Sequence, residues 1–110
     1  MSKLDLTEFD ILEQMLQSAD IKYEREDGGS AFLLEFHQLR HPANYGDKWL
    51  WDVICNTGSY GSERGLLEIW GKDIDEPIGW LTAEECLEKI KAILYMEDRK
   101  EAGKQCLIKA

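Results

Sequence analysis

The chain opens with apolar residues at the spacing of an amphipathic helix. These residues are Phe9, Leu12, Leu16 and Ala19. They recur every three to four positions, so one face of the helix would be apolar. Thr7 is placed to cap this helix, with Asp10 three residues later as the partner in an approximate capping box. We predict that the helix ends near Ala19 or Asp20.

A second helical pattern lies near the C-terminus and begins at the clearest helix-start signal in the chain. Thr82 is placed as the cap, and Glu85 completes a capping box. Apolar residues then repeat at helical spacing, at Leu87, Ile90 and Leu94. The pattern predicts a helix that runs to about Asp98 and is broken by Gly103, since glycine disfavours a helix interior. Residues 101–110 would then form a flexible tail or an added edge strand.

Four segments between the helices carry strand patterns. They are residues 21–26, 31–37, 48–56 and 65–70. A turn at 27–29 makes the first two a hairpin. The segments 38–47 and 71–80 contain prolines and are predicted to be loops. Short connections favour an antiparallel meander. The predicted fold class is therefore α+β, a two-layer domain with a four-stranded antiparallel meander and an N-terminal and a C-terminal helix.

Apolar residues remain for the sheet face that the two helices do not cover. Leu33 points to that face, as do one apolar set of the 48–56 strand and part of the cluster at 66–70. A solvated sheet face usually shows less apolar surface. Three explanations stay open: the C-terminal tail folds over it, a second copy packs on it as a homodimer, or another partner binds it.

Composition indicates a folded protein with an acidic surface. The 110 residues include 22 Asp and Glu against 13 Lys and Arg, a net charge of -9, yet 44% are hydrophobic. This length predicts a single domain over residues 1–110. A negative field repels nucleic acid and attracts basic surfaces. No apolar run approaches the roughly 20 residues of a membrane helix, and no secretory signal is evident, so we expect a cytoplasmic protein without membrane contact.

Residues suited to metal binding or nucleophilic catalysis are few. The three cysteines, Cys55, Cys86 and Cys106, are an odd number, so we expect reduced thiols, with the first two in the core. His37 and His41 are too few to form a zinc site, and both are expected to be solvated. Nothing near Cys55 predicts a lowered thiol pKa. We predict neither a metal nor a cofactor.

A glycine-rich segment between two predicted strands is the most distinctive loop. Residues 58–65, here called the glycine loop, read Gly-Ser-Tyr-Gly-Ser-Glu-Arg-Gly. A phosphate-binding loop is followed by a helix, but a strand follows here, so the pattern favours a hairpin turn. Its polar tip, with Tyr60 and Arg64, is a candidate contact for a ligand or partner. Acidic clusters elsewhere lie on predicted turns, loops and a helix start and lack catalytic spacing, which argues against an enzyme.

One segment resembles proteins of viral origin. Residues 55–71, Cys-Asn-Thr-Gly-Ser-Tyr-Gly-Ser-Glu-Arg-Gly-Leu-Leu-Glu-Ile-Trp-Gly, and residues 79–85, Gly-Trp-Leu-Thr-Ala-Glu-Glu, are similar to short proteins encoded by phages and prophages of Gram-positive bacteria. Residues 4–10 and 51–55 also fit, so the resemblance covers most of the chain up to Ile93. It implies a phage accessory gene, without an established activity or a catalytic residue to carry over. Small acidic proteins of that origin are often inhibitors of host defence, anti-CRISPR proteins among them.

These observations favour a non-enzymatic inhibitor that binds a basic, nucleic-acid-handling host protein such as a CRISPR effector. Its acidic clusters would stand in for phosphates, and exposed aromatic residues would anchor the contact. The predicted partner-binding residues are Glu24, Glu26, Asp27, Trp49, Tyr60, Arg64, Asp73, Asp75 and Glu76. The alternative is a dimeric protein that binds or sequesters a nucleotide signal. Arg64, Arg40 or Lys48 would then meet the phosphates.

Overall fold

The computed structural model describes residues 4–29 and 34–109, and of Asn44 and residues 101–109 it describes the backbone alone. In chain order the elements are α1 (Thr7–Ser18), β1 (Glu24–Gly28), β2 (Phe36–Arg40), β3 (Asn44–Tyr45), β4 (Lys48–Trp49), β5 (Asp52–Ile54), a 3-10 helix (Ser62–Arg64), β6 (Leu67–Gly71), β7 (Ile74–Leu81) and α2 (Ala83–Lys109).

The main sheet is an antiparallel meander with one insertion. Its strand order is β1-β2-β5-β6-β7, and the separate hairpin β3-β4 is inserted between β2 and β5. The predicted α+β class, with a helix at each end of the strands, is confirmed. The predicted number of four strands is wrong, because the main sheet has five strands within the described residues.

The additional strand is β7, which lies in the segment 71–80 that we predicted to be a loop. Its acidic residues and Pro77 interrupt the apolar alternation by which a strand is predicted from sequence. β7 is an edge of the described sheet. At an edge, charged side chains face water and a proline removes no inner hydrogen bond. Its pairing with β6 is irregular, with register shifts on both sides of Ile69.

The predicted strand at 48–56 is two strands. β4 pairs with β3 across a turn at Gly46, and β5 joins the main sheet between β2 and β6. The break falls at Leu50 and Trp51, which are both buried. The predicted loop at 38–47 is also corrected, because β2 continues to Arg40 and places Leu39 in the core.

The first hairpin lies further along the chain than its pattern predicted. β1 begins at Glu24 instead of residue 21, and all five of its residues are exposed. Its register pairs Gly28 with Phe36, so Asp27 and Gly28 belong to the strand and not to the turn. The predicted strand residues 31–33 lie outside the described residues.

The core lies between the two helices and one face of the sheet. Leu39, Val53 and Ile69 are cross-strand partners and form one fully buried row. Helix α1 contributes Phe9, Leu12 and Leu16, and helix α2 contributes Ala83, Cys86 and Ile90. Of the predicted stripes, Phe9, Leu12, Leu16 and Ile90 are therefore confirmed as core positions, and Leu87 and Leu94 are partly buried against the core. Ala19 is exposed just beyond the end of α1, so its predicted place in the stripe is wrong. The placement of Cys55 and Cys86 in the core is confirmed.

The other sheet face is polar at its centre in the described part of the chain, unlike the apolar face that the pattern predicted. The Gln38 side-chain amide donates to the Asp52 carboxylate at 2.7 Å, and Arg40 donates to Gln38 at 2.8 Å. Two tryptophans on this side are covered by cations: Arg40 stacks on Trp49 at 4.4 Å and Lys48 on Trp70 at 4.7 Å. Cation–π contacts thus replace part of the expected apolar covering.

Helix α2 runs to Lys109, so the predicted end near Asp98 and the break at Gly103 are wrong. Its predicted capping box is confirmed. The Glu85 N–H donates to the Thr82 hydroxyl at 3.2 Å, and the Thr82 N–H donates to the Glu85 carboxylate at 2.9 Å.

The predicted cap of α1 is wrong. The N-cap residue is Leu6, whose side chain makes no capping hydrogen bond. The Thr7 N–H instead donates to the Asp5 carboxylate at 3.0 Å, and hydrogen bonds with Thr7 lower the pKa of Asp5. Asp5 therefore does what we expected of Thr7 and Asp10.

The two helix starts give a matched pair of substitutions. Thr82→Ala should lower the free energy of unfolding by about 1 kcal/mol, since it removes a capping acceptor. Thr7→Ala should change it by less than about 0.5 kcal/mol, because this exposed side chain accepts no capping bond. Urea denaturation of both variants measures the difference. Equal losses would contradict the corrected assignment of the caps.

Candidate binding site at the edge of the sheet

The glycine loop lies directly on the backbone of β7. Gly61 and Gly65, which bracket the 3-10 helix, have left-handed backbone angles, with φ of 95° and 70°. A Cβ on Gly61 would lie 3.0 Å from the Trp80 Cα, and one on Gly79 would lie 2.2 Å from the Tyr60 Cβ. Only glycine at these positions permits so close a contact between loop and strand.

Hydrogen bonds hold the first residues of the loop in place. The Trp80 N–H donates to the Tyr60 carbonyl at 3.2 Å. The Tyr60 N–H donates to the carboxylate of Glu68, a buried residue of β6, at 3.0 Å. The Ser59 hydroxyl donates to the Asn56 carbonyl at 2.9 Å. The loop tip is therefore positioned by the sheet beneath it.

Two large aromatic side chains are exposed where loop and strand meet. Tyr60 is 61% exposed and Trp80 is 50% exposed. Trp80 also has a left-handed backbone, with φ of 62°. Such a conformation is strained for a large residue and is found mainly where a site requires it.

A shallow cleft of about 350 Å³ lies beside these rings. Its lining consists of Leu4, Thr57, Gly58, Ser59, Tyr60, Gly61, Ser62, Glu63 and Trp80. Arg64 is not part of the lining, but its guanidinium lies 5.9 Å from the centre of the Trp80 ring. The cleft thus combines two aromatic rings, several hydroxyl groups and one carboxylate.

Four of the nine predicted partner-binding residues lie on this side of the molecule. Tyr60 and Arg64 belong to the glycine loop, and Asp75 and Glu76 are exposed on β7. In the described part of the chain, neither Asp75 nor Glu76 forms an ion pair. Asp73 lies in the turn before β7 and pairs with Lys100 at 3.2 Å.

Apart from Asp73, the remaining four predicted residues lie away from this side of the molecule. Three are on β1 at the opposite edge of the sheet, and one lies beneath an arginine. Glu24 and Glu26 pair with Arg40 at 3.2 and 3.0 Å. Asp27 pairs with Arg25 and with His37. Trp49 is half-buried under Arg40. Much of the charge on this edge is therefore neutralised within the protein.

His37 is buried, which corrects the prediction that both histidines are solvated. Its Nδ1 lies 2.6 Å from the Asp27 carboxylate and its Nε2 lies 2.6 Å from the Glu35 carboxylate. Burial opposes a charge on the ring, but these two hydrogen bonds outweigh it and raise the pKa of His37. The pKa of Asp27 is lowered, because its bonds to Arg25 and His37 outweigh its own burial.

The remaining candidate groups are not activated. Burial raises the pKa of the Cys55 thiol to about 11, and the charges of Glu35 and Asp5 add to this effect. The prediction that this thiol is not activated is confirmed. Burial lowers the pKa of His41. Over the described ranges, no three His, Cys, Asp or Glu side chains are grouped so that they could hold a metal ion.

The cations invoked for nucleotide binding do not converge. Arg40 is held by two glutamates, and Lys48 donates to the Ile74 carbonyl at 3.3 Å. Arg64 lies beside Trp80, near the other end of β6. The structure therefore does not bring the three into one phosphate site.

Trp80 is the site residue that sequence analysis missed. It lies in the segment 71–80 that we predicted to be a loop, so its position beside Tyr60 was not predicted. A detectable signal was the pair Gly79-Trp80, because a glycine beside an aromatic residue can mark close backbone packing.

No helix among the described residues is long and apolar enough to cross a membrane. Comparison with known proteins adds no relative: no family model, curated protein or solved structure matches this chain.

Proposed function

We propose that this protein is a non-enzymatic inhibitor that binds a basic, nucleic-acid-handling host protein. We further propose that it binds through the β7 edge surface, formed by Tyr60, Asp75, Glu76, Ile78 and Trp80. The observation that carries the proposal is the contact between the exposed Tyr60 of the glycine loop and the exposed Trp80 of β7. β7 also carries Asp75 and Glu76, whose carboxylates form no ion pair with any described residue.

The aromatic pair has the properties of an interface anchor. Binding energy at protein interfaces is concentrated in a few residues, among which Trp and Tyr are enriched. Ordering a flexible segment on binding costs free energy, and a preformed contact avoids much of that cost. The hydrogen bonds of Tyr60 to Glu68 and Trp80 support such preformed geometry. Ile78, 38% exposed on the same strand, adds apolar area.

The charges of this surface favour a basic partner. Asp75 and Glu76 are five and four residues from Trp80 along β7, which corresponds to about 15 Å at the usual rise per residue. That span fits within an interface of about 800 Å² per partner. The net charge of -9 would also speed encounter with a basic surface.

The class of partner follows from the same electrostatics and from the resemblance to phage proteins. A groove that binds nucleic acid is lined with Lys and Arg, and an acidic surface can occupy it in place of phosphates. The phage origin that the resemblance implies would place such a partner in the host cell, where a CRISPR effector is one example. An inhibitor of this kind competes with nucleic acid and needs no catalytic residue.

Binding should depend on salt and on the β7 carboxylates. We expect that a double variant, Asp75→Asn with Glu76→Gln, binds a purified CRISPR effector of a Gram-positive host about 5- to 20-fold more weakly, since each exposed charge contributes up to about 1 kcal/mol. Raising the salt concentration from about 50 to about 300 mM should weaken the unmodified protein in the same direction. Interferometry on an effector panel, with nucleic acid as competitor, measures both effects.

A matched control removes the same charge elsewhere. Asp20 and Asp47 are exposed and form no ion pair in the part of the chain that the structure describes. Asp20→Asn with Asp47→Asn should leave the affinity within about twofold, apart from the shared change in net charge. Equal losses in both doubles, binding that ignores salt, or no binding to any basic nucleic-acid-handling protein in the panel would each contradict the proposal.

A further inference from the structure

We infer that the cleft beside Trp80 is a pocket for one arginine side chain of the partner. This inference rests on the proposed function, and it adds the chemical group that the site recognises. Its basis is the composition of the lining, the two aromatic rings and the size of the cleft.

The polar side chains of the lining suit a cationic donor. They comprise the hydroxyl groups of Thr57, Ser59, Tyr60 and Ser62 and the carboxylate of Glu63, and among the described residues no lysine or arginine lines the cleft. Two of these hydroxyls are engaged internally, because Thr57 accepts from the Glu35 N–H and Ser59 bonds to Asn56. Glu63 is exposed and has no ion-pair partner within the described residues. It is the charged acceptor left for a ligand.

The aromatic rings suit a flat cation. Guanidinium groups stack on Trp and Tyr faces with a gain of about 0.5–2 kcal/mol. Arg64 already lies 5.9 Å from the Trp80 ring centre, which is within the range of such contacts. It does so from outside the cleft lining, so the cleft itself is not filled by Arg64.

Arginine fits this lining better than the other basic or acidic groups. Its guanidinium is planar, stacks on aromatic rings and can donate two parallel hydrogen bonds to one carboxylate. Lysine offers a compact ammonium without that stacking geometry. A phosphate or carboxylate ligand would face Glu63 in a protein of net charge -9. At about 350 Å³, the cleft is at the lower end of ligand-site volumes, roughly 300–1,000 Å³, which suits a side chain.

Short peptides test the pocket directly. The probes are acetyl-Gly-Arg-Gly-amide and its lysine and citrulline counterparts, titrated at low salt into the full chain labelled with ¹⁵N. We expect the Trp80 indole N–H and the Glu63 amide to shift with the arginine peptide at a Kd on the order of 1 mM, which corresponds to about 4 kcal/mol. The lysine peptide should bind several-fold more weakly, and the uncharged citrulline peptide should cause no saturable shift.

Variants separate the carboxylate from bulk charge. Glu63→Gln should weaken the arginine peptide about fivefold or more, whereas Glu84→Gln, an exposed carboxylate outside the lining, should not. Unchanged resonances elsewhere in each spectrum establish that the variant is folded. Equal binding of citrulline, or no loss in Glu63→Gln, would overturn the pocket. If the arginine peptide fails while the Asp75 and Glu76 double still weakens the effector, the pocket is wrong and the proposed function stands. If the arginine peptide binds as expected but the Asp75 and Glu76 double variant does not weaken binding to the effector, the pocket stands and the proposed function is wrong.

Discussion

Replacing Trp51 by alanine is expected to lower the free energy of unfolding by about 3–5 kcal/mol, the range for deleting a large buried aromatic side chain. Trp51 is fully buried at the break between β4 and β5, and it belongs to the cluster in which both helices meet the sheet. The loss has two parts, the apolar contacts of the indole and the cavity that it leaves. Urea denaturation followed by far-ultraviolet circular dichroism measures it.

Trp51→Phe separates packing from hydrogen bonding. The indole Nε1 of Trp51 is buried and has no hydrogen-bond partner within the described ranges. A buried donor without a partner is itself destabilising by about 1–3 kcal/mol. Phenylalanine removes that donor and keeps most of the apolar contacts, so we expect a loss of only about 1–2 kcal/mol. A loss as large as that of the alanine variant would show that Nε1 is satisfied in solution.

Stability is expected to fall as the pH rises above about 6.5, because His37 then loses its proton. The imidazolium can donate to Asp27 and Glu35 together, whereas the neutral ring can donate to only one of them. Since the folded pKa is raised above that of the unfolded chain, the contribution is complete below about pH 6.5 and disappears as the pH passes the folded pKa. Loss of one charge-assisted bond predicts a decrease of about 1–2 kcal/mol.

The sign of the change separates His37 from the other titrating groups. Burial lowers the pKa of His41, so its contribution makes stability rise with pH and cannot cause the expected fall. The thiols of Cys55 and Cys86 have pKa values raised by burial to about 11 and about 12, and they affect stability only above about pH 8. His37→Gln should flatten the decline above about pH 6.5. His41→Gln, the matched control, should retain that decline. An unchanged slope in His37→Gln would show that another group causes the dependence.

The helices were predictable because their signals are local. The stripe of Phe9, Leu12 and Leu16 and the capping box of Thr82 and Glu85 each depend on residues within a few positions of one another. The end of α2 was not predictable, because tertiary context routinely outweighs the low helix propensity of one glycine. The cap of α1 failed for a related reason, since Asp5 and Thr7 offer the same chemistry two residues apart.

The strands were harder to place because edge strands lack an apolar pattern. β1 is entirely exposed, and β7 carries acidic residues and a proline. Both lie at edges of the described sheet, where alternation is not required. The inner strand β6 was predicted to within two residues, because Leu67, Ile69 and Trp70 give it an apolar pattern that the buried Glu68 interrupts only once.

The candidate site was predictable only in part. Residue type alone identified Tyr60 and Arg64 as an exposed polar tip, and Asp75 and Glu76 as solvated charges. That all four lie along the β7 edge of the sheet depends on the pairing of β7 with β6 and on the contact between Gly79 and Tyr60, which no local pattern encodes. The neutralisation of Glu24, Glu26 and Asp27 likewise depends on arginines and a histidine from β1 and β2.

The left-handed backbone of Trp80 lowers the stability of the fold at a residue that the proposed binding requires. Glycine adopts that conformation without the cost of about 1 kcal/mol or more that a bulky residue incurs. A library of this chain selected for thermal resistance alone would therefore tend to accumulate glycine or asparagine at position 80. On the proposed function, such clones would resist heat better and bind the partner more weakly, so retention of tryptophan during selection for binding would indicate that Trp80 contacts the partner.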